Sequence, residues 1–209
     1  MSEFKLYCFA ESGNAYKAAL MLQACSLEWE PVKVEFFKGE TRTPEFKTKL
    51  NEMGEVPVLE HRGKFLTQSG VILDYLASLT GKFGWQTDDE RREIYSWILF
   101  DNHKFTANIA TLRYMVGLMK QPENEVTKFL TARVNAAMKV LEAHFAKHDY
   151  AACGRLTIAD LSLAGYVFYG DELPFEITPN VKAWSERIKA LPNWKHPYEV
   201  MPRALGVKG

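Results

Sequence analysis

The chain has 209 residues, and its 26 Lys and Arg are balanced by 26 Asp and Glu, giving a formal net charge of +0 at pH 7. This balance argues against a nucleic-acid-binding protein, because such proteins use a basic excess to contact phosphates. No apolar run approaches the roughly 20 residues that a membrane-spanning helix needs, so no membrane partner is expected. At about 150 residues per domain, the length corresponds to one large domain or two small ones.

The three cysteines, Cys8, Cys25 and Cys153, are an odd number at wide spacing and include no CxxC pair. Such a set is a poor disulfide framework and is typical of a reducing compartment. The N-terminal residues lack the basic and apolar regions of a secretory signal. We therefore expect a cytoplasmic protein.

The chain begins with a strand, a helix and a second strand. Residues 4–10 (FKLYCFA) are apolar and aromatic and end at a polar turn, which predicts a strand. The next segment repeats apolar residues at helical spacing, at Ala15, Ala18, Ala19 and Leu22. Residues 29–34 form another short strand, and Pro31 within it indicates the edge of a sheet.

A short helix, a hairpin and a longer helix follow. After a polar loop at residues 38–43, Pro44 suits the first turn of a helix that ends near residue 50. Residues 56–60 and 64–67 flank a His-Arg-Gly turn, which predicts a β-hairpin. Apolar residues then recur at helical spacing, at Ile72, Tyr75, Leu76 and Leu79. The order βαβ, α, ββα places a first domain at residues 1–80.

Beyond an aperiodic linker at residues 80–89, every predicted element is a helix. Apolar positions define one face of a long helix through residues 94–112, except that Asp101 occupies a position where an apolar residue is expected. A second long helix covers residues 126–145, and a final one covers 181–191. Thr157 and Asp160 have the spacing of a capping box. These helices predict an all-helical second domain at residues 88–209.

Four short segments, in this order and spacing, carry a resemblance to a known family. They are Ser12-Gly13-Asn14 after the first strand, Asn51 to Leu59 with its Val56-Pro57 pair, Gln68-Ser69 at the third helix, and Leu156 to Asp160. Together they resemble the cytosolic glutathione S-transferase family, and most of all its bacterial and fungal theta-like or nu-like members. The resemblance implies an α/β thioredoxin-like domain followed by an all-helical domain, with glutathione as co-substrate.

The resemblance makes Ser12 the catalytic hydroxyl, with Asn14 helping to orient the same sulfur. The location suits an anion, because the free amides and the dipole of a helix N-terminus favour negative charge. Lowering a thiol pKa by about 2 units requires about 2.7 kcal/mol of preferential thiolate stabilisation. A hydrogen bond to a charged acceptor supplies about 1.5–3 kcal/mol of it. Ser12 as a simple helix cap is the alternative, and Tyr7 is the competing hydroxyl, since other classes of the family use a tyrosine near the end of the first strand.

The other segments are assigned to glutathione binding by the same resemblance. Val56, ahead of a cis Pro57, would pair through its backbone with the cysteinyl unit. Gln68 and Ser69 would bind the γ-glutamyl group at a helix N-terminus. Arg42 or Lys38 would pair with the glycyl carboxylate. A trans proline, an ordinary serine cap and solvated loop charges are the alternatives.

In the helical domain, the resemblance implies that His103 and Phe105 line the pocket for the electrophile, and contacts in the helical core or a dimer are the alternative for the aromatic residue. No metal is implied: His144 and His148 are four residues apart on a helix, but no acidic or cysteine partner completes a zinc signature. A homodimer is implied, and the helices carry more aromatic residues than one buried stripe needs. These extra residues are Trp97, Phe100, Tyr114 and Phe129.

Two residues depart from the family pattern. Glu52 stands where proline often follows the asparagine, and Glu55 stands where lysine or glutamine commonly precedes the Val-Pro pair. An acid at that position is unexpected beside an anionic ligand. The resulting prediction is conjugation of glutathione to hydrophobic electrophiles. Glutathione-dependent reduction of a peroxide or disulfide, isomerisation or dehalogenation, and a non-catalytic protein-binding scaffold are the alternatives.

Overall fold

A computed structural model describes residues 2–205 of the chain. The chain divides into two compact units, one formed by Met1–Lys82 with Pro192–Gly209 and the other by Phe83–Leu191. The second unit therefore ends earlier than the expected 88–209. The C-terminal residues group with the first unit because they form hydrogen bonds to it, such as that from the Tyr16 hydroxyl to the Lys195 carbonyl at 2.8 Å.

A four-stranded mixed sheet forms the centre of the first unit. Its strands are β1 (Phe4–Cys8), β2 (Trp29–Lys33), β3 (Val58–His61) and β4 (Lys64–Thr67). They lie in the order β2-β1-β3-β4, with β1 and β2 parallel and the other pairs antiparallel. The edge position inferred for β2 from Pro31 is confirmed.

Three helices accompany the sheet, namely α1 (Gly13–Ala24), α2 (Pro44–Lys49) and α3 (Ser69–Thr80). The expected order βαβ, α, ββα is therefore confirmed. The loop expected at residues 38–43 is more ordered than predicted, since Phe36–Lys38 and Glu40–Arg42 form short 3-10 turns. Gly39 joins these turns with a φ of 83°, which a residue with a side chain rarely adopts.

Side chains of β1 alternate between the two faces of the sheet, as the two-residue period of a strand requires. Leu6 and Cys8 are wholly buried on one face. Tyr7 points to the other face, where it packs against a cluster of Val34, Phe46 and Val58. Phe46 belongs to α2, so this cluster attaches α2 to the sheet.

The second unit consists of helices only. They are α4 (Asp88–Phe100), α5 (Ala107–Leu112), α6 (Glu125–Phe145), α7 (Ile158–Leu163) and α8 (Pro179–Lys189), while α9 (Pro197–Val200) belongs to the first unit. The long helix expected around residues 94–112 continues from Asp88 to Leu118 through two π-helical stretches, Asp101–Thr106 and Arg113–Leu118. Within residues 2–205, no helix is both long and apolar enough to cross a membrane.

Asp101 is wholly buried in the helical unit. Its carboxylate accepts hydrogen bonds from the hydroxyls of Thr106 at 2.7 Å and Ser162 at 2.6 Å. Buried polar groups are tolerated when they are hydrogen-bonded. These partners explain why the helix accommodates an acid at a position where the periodicity predicts an apolar residue.

Candidate functional site

Three of the segments singled out in the sequence meet at one end of the sheet. Tyr7, near the end of β1, pairs with Val58 at the start of β3, and Val58 pairs with Thr67 at the end of β4. The turn after β1, the segment before β3 and the start of α3 therefore lie at the same edge. This register brings Ser12, Val56 and Gln68 into one region of the first unit.

Ser12 is the N-cap of α1, and its side chain is 6% exposed. Its amide donates to the Phe9 carbonyl at 3.0 Å, which closes the turn after β1. Its hydroxyl oxygen accepts from the amide of Ala15 at 3.1 Å. A hydroxyl also has one proton to donate, and within residues 2–205 that proton has no acceptor. The hydroxyl can therefore cap the helix and donate to an anion at once.

Asn14 lies in the first turn of α1, as the sequence places it. Its Oδ1 atom is buried and has no hydrogen-bond partner among the described residues. A buried acceptor without a partner costs about 1–3 kcal/mol. The Oδ1 atom of Asn14 can therefore accept a hydrogen bond from a donor group of a ligand beside Ser12.

The Val56-Pro57 peptide bond is cis. The amide and carbonyl of Val56 form no hydrogen bond within the described part of the chain. The preceding turn is held by Asn51, which is 5% exposed and donates from Nδ2 to the Glu55 carbonyl at 2.9 Å. A residue whose amide and carbonyl are both free can form a short antiparallel pair with a peptide-like ligand.

Gln68 and Ser69 begin α3 as expected. Gln68 has a φ of 66° and makes no side-chain cap to the helix, so the first amides of α3 lack that partner. Its Nε2 instead donates to Oε2 of Glu55 at 3.0 Å. The unexpected acid of the sequence therefore holds the Gln68 side chain in place. The sequence alone does not reveal this role of Glu55, because Gln68 is 13 positions away.

Arg42 is exposed and has no ion-pair partner within residues 2–205, whereas Lys38 pairs with Glu35 at 3.5 Å. Of the two cations proposed from the sequence, Arg42 is therefore the one available to a ligand.

Gly54, two residues before Val56, packs closely against the turn that carries Arg42. A Cβ atom on Gly54 would lie only 2.8 Å from the Thr41 carbonyl oxygen, so a side chain would not fit there without a shift. The same Cβ atom would lie 3.1 Å from Cε of Lys47, a nearby cation that the sequence did not single out.

Family models describe both parts of the chain. The model of the glutathione S-transferase N-terminal domain matches residues 2–78, and that of the C-terminal domain matches residues 105–192. The chain belongs to the glutathione S-transferase family.

Similar proteins extend over almost the full length of the chain. A crystal structure of a possible glutathione S-transferase from Rhodopseudomonas palustris is 35% identical, covers 94% of this chain and 98% of its own, and has a TM-score of 0.87. A glutathione S-transferase from Pseudomonas fluorescens is 30% identical over 94% of this chain and 100% of its own, with a TM-score of 0.88. A probable glutathione S-transferase of rice is 28% identical over 96% of this chain and 98% of its own.

The alternative hydroxyl of this glutathione S-transferase, that of Tyr7, is engaged elsewhere. It donates to Oε2 of Glu60 at 3.0 Å. Burial and the neighbouring Glu60 carboxylate raise the pKa of Tyr7. Because the strand directs Tyr7 to the α2 face rather than to the turn after β1, its hydroxyl is a weaker candidate than that of Ser12 for contact with a ligand sulfur.

In the helical unit, the two residues assigned to the electrophile pocket occupy different environments. His103 is exposed, but Phe105 is wholly buried. A side chain with no exposed surface belongs to the core, so Phe105 as a pocket residue is a correction to the sequence-based assignment. Both lie in the π-helical stretch Asp101–Thr106, and Phe105 is buried with the apolar face that the sequence predicts for this helix.

The histidine pair of α6 also has a structural environment. His144 bonds through Nε2 to the Tyr150 carbonyl at 3.1 Å, and its ring stacks on that of His148 with centroids 4.5 Å apart. Burial lowers the pKa of His144. Among residues 2–205 no group of three or more His, Cys, Asp or Glu side chains could hold a metal ion.

Proposed function

We propose that this glutathione S-transferase transfers glutathione to hydrophobic electrophiles, a reaction typical of detoxification. The observation that carries the proposal is the Ser12 hydroxyl, which caps α1 and keeps its proton free to donate. Its place in the turn after β1 also supports membership of the theta-like or nu-like subgroup. Reduction of a peroxide or disulfide remains the second candidate chemistry, because it begins from the same thiolate.

In this proposal the N-terminal unit binds glutathione in an extended form. The γ-glutamyl carboxylate lies at Ser69 and the first amides of α3, where the helix dipole favours an anion. The cysteinyl unit pairs with the backbone of Val56, and Arg42 faces the glycyl carboxylate. Gln68, held by Glu55, contacts the γ-glutamyl group. Asn14 supplies the remaining polar contact next to the sulfur.

The sulfur lies at the Ser12 hydroxyl and the N-terminus of α1. The thiol loses its proton to solvent, and the hydroxyl donates to the thiolate. The thiolate then forms a bond to an electrophilic carbon, and a leaving group such as halide departs with its electron pair. Thiolate stabilisation and positioning of the two reactants supply the rate enhancement.

We expect the protein to bind glutathione and to consume a simple aryl halide such as 1-chloro-2,4-dinitrobenzene. Ultraviolet titration of thiolate absorbance should show the bound thiol with a pKa about 1–2 units below its free value, corresponding to about 1.4–2.7 kcal/mol of thiolate stabilisation.

Ser69→Ala should raise the KM for glutathione by about tenfold, because it removes a contact made equally in the ground and transition states.

Glu28→Ala, at an exposed residue of the same unit, is the matched control for Ser69→Ala and should leave the KM unchanged. Binding of glutathione with an unshifted thiol pKa and no turnover would support the scaffold alternative instead. Absence of binding at millimolar glutathione would contradict both the proposed activity and the proposed ligand.

We further propose a homodimer located in the cytoplasm. Large apolar side chains lie on the surface of each unit, among them Phe129 at 62% exposure in the helical unit and Met53 at 57% in the first. Burial of such residues in a two-fold interface is the commonest oligomeric solution. The three cysteines are unpaired, which is typical of a reducing compartment.

Light scattering at micromolar concentration should give a mass of about twice the 23.9 kDa of the chain. Phe129→Glu should shift the mass toward a single chain if this residue lies in the interface, because a buried unpaired charge is costly. Glu125→Gln, an exposed change in the same helix, should not shift it. A single 23.9 kDa species that still turns over glutathione would contradict the dimer.

A further inference from the structure

The C-terminal segment of the chain lies against the turn that carries Ser12. The amide of Ala10 donates to the Pro202 carbonyl at 2.8 Å. Met201 is 4% exposed, so the segment is packed and not simply laid on the surface. These contacts join the last described residues to the two residues before Ser12, all within the first unit.

Glu11, directly before Ser12, makes the principal contact. Its side chain is only 5% exposed. One carboxylate oxygen accepts from the Ala204 amide at 3.0 Å, and the other accepts from the Leu205 amide at 3.1 Å. A buried carboxylate is costly unless it is hydrogen-bonded, and bonds from backbone amides to an ionised acceptor are among the stronger ones.

We propose that Glu11 is a positioning residue for Ser12, and that the C-terminal residues 202–205 complete the thiolate site by holding the Glu11 carboxylate. This inference rests on the proposed function. On its helix side Ser12 is held by the amides of Ala15 and Tyr16, which donate to its hydroxyl at 3.1 Å and to its carbonyl at 2.9 Å. On its strand side the turn closes through one backbone bond, from the Ser12 amide to the Phe9 carbonyl. Glu11 adds a second anchor on that strand side, because it is adjacent to Ser12 and accepts hydrogen bonds at both carboxylate oxygens.

The same hydrogen bonds bear on the negative charge of Glu11. A carboxylate next to an anion-binding turn opposes a thiolate, because like charges disfavour ionisation. Each oxygen of Glu11 accepts from a backbone amide, of Ala204 or Leu205, and these donors offset part of its negative charge. In this proposal the C-terminal segment therefore holds the turn at Ser12 and reduces the repulsion between Glu11 and the thiolate.

Two variants test this role without altering Ser12. Glu11→Asp keeps the charge but shortens the side chain, and Ala204→Pro removes one of the two donor amides. Each should raise the pKa of the bound glutathione thiol by about 1 unit, a tenfold change in the thiolate equilibrium. Each should also lower kcat about tenfold while the KM for glutathione changes less than about twofold. Glu28→Asp, the same shortening at an exposed site of this unit, should change none of these values.

Amide hydrogen exchange without glutathione provides a measurement that does not depend on the proposed activity. Exchange should increase at residues 10–15 in both variants and remain as in the parent protein elsewhere in residues 2–82. If the parent protein fails to bind glutathione, the proposed function is lost, and localised exchange still supports the link between Glu11 and the turn. Unchanged exchange at residues 10–15, an even increase across the unit, or an unchanged thiol pKa in a protein that binds glutathione overturns the inference.

Discussion

Ser12→Ala should lower the rate of glutathione conjugation by about 10-fold to 10³-fold, corresponding to about 1.4–4 kcal/mol of lost anion stabilisation. The Ser12 hydroxyl has its proton free and lies at the start of a 12-residue helix, so its removal leaves only the helix end to stabilise the sulfur. The pKa of the bound thiol should rise in the same variant, measured by thiolate absorbance.

A second effect of Ser12→Ala must be separated from the first. The same oxygen caps α1 by accepting from Ala15, and loss of a cap costs about 0.5–2 kcal/mol of stability. Glycine replaces a serine cap at a cost of only a few tenths of a kcal/mol. Ser12→Gly should therefore lose activity like Ser12→Ala while its unfolding midpoint stays closer to that of the parent protein.

Ser12→Thr, which keeps a hydroxyl, should retain most of the activity. Tyr7→Phe should also retain it, because the Tyr7 hydroxyl is bonded to Glu60. The assignment of Ser12 fails if the alanine variant keeps full activity while Tyr7→Phe loses it. That result would transfer the thiolate role to the strand hydroxyl.

Local sequence patterns were sufficient to predict the fold and the position of Ser12. Strand alternation, Pro31 and the polar turn after β1 each act over a few residues, and the structure has the corresponding strand, edge and helix start. Gln68-Ser69 likewise marks the start of α3. Strands, turns and helix starts of this kind depend on the backbone preferences of a few neighbouring residues, without contacts from distant parts of the chain.

The features that escaped prediction depend on contacts between distant parts of the chain. Glu11 accepts a hydrogen bond from the amide of Ala204, a residue 193 positions away in the chain. Glu55 is an unexpected acid by sequence pattern, and in the fold it accepts a hydrogen bond from Gln68, 13 positions away. The pocket role of Phe105 came from the family resemblance, whereas the apolar period of the helix places Phe105 on the face that the structure buries.

Asp160→Ala should reduce the free energy of unfolding by about 3–5 kcal/mol, a large part of the 5–15 kcal/mol typical of a folded protein. Asp160 is wholly buried in the helical unit. Its Oδ1 accepts from the Ala151 amide at 2.8 Å and from Nε1 of Trp184 at 2.9 Å. Its Oδ2 accepts from the Thr157 amide at 2.9 Å, as the capping box predicts. Alanine would leave all these donors buried without an acceptor.

Urea unfolding followed by tryptophan fluorescence measures the loss. Trp184→Phe removes one donor and keeps the acid, so it should cost less than Asp160→Ala. Asp149→Ala is the matched control, since the Asp149 side chain is 80% exposed and its removal should change stability by less than about 0.5 kcal/mol. Equal effects of Asp160→Ala and Asp149→Ala would show that the buried network contributes nothing to stability.

The dependence of this stability on pH provides a second test. Burial raises the pKa of the Asp160 carboxyl from 3.8 to about 6, although the hydrogen bonds that this carboxyl accepts act in the opposite direction. The folded chain thus holds the proton more tightly than the unfolded chain. The tighter proton binding adds about 3 kcal/mol to the free energy of unfolding at pH values below about 4. This contribution is lost as the pH rises through about 6. Asp160→Asn cannot ionise, so the difference in unfolding free energy between the parent protein and this variant should change by about 2–3 kcal/mol from pH 4 to 7. A difference that stays constant over this range would mean that the amides of Ala151 and Thr157 keep the carboxylate ionised in the folded chain.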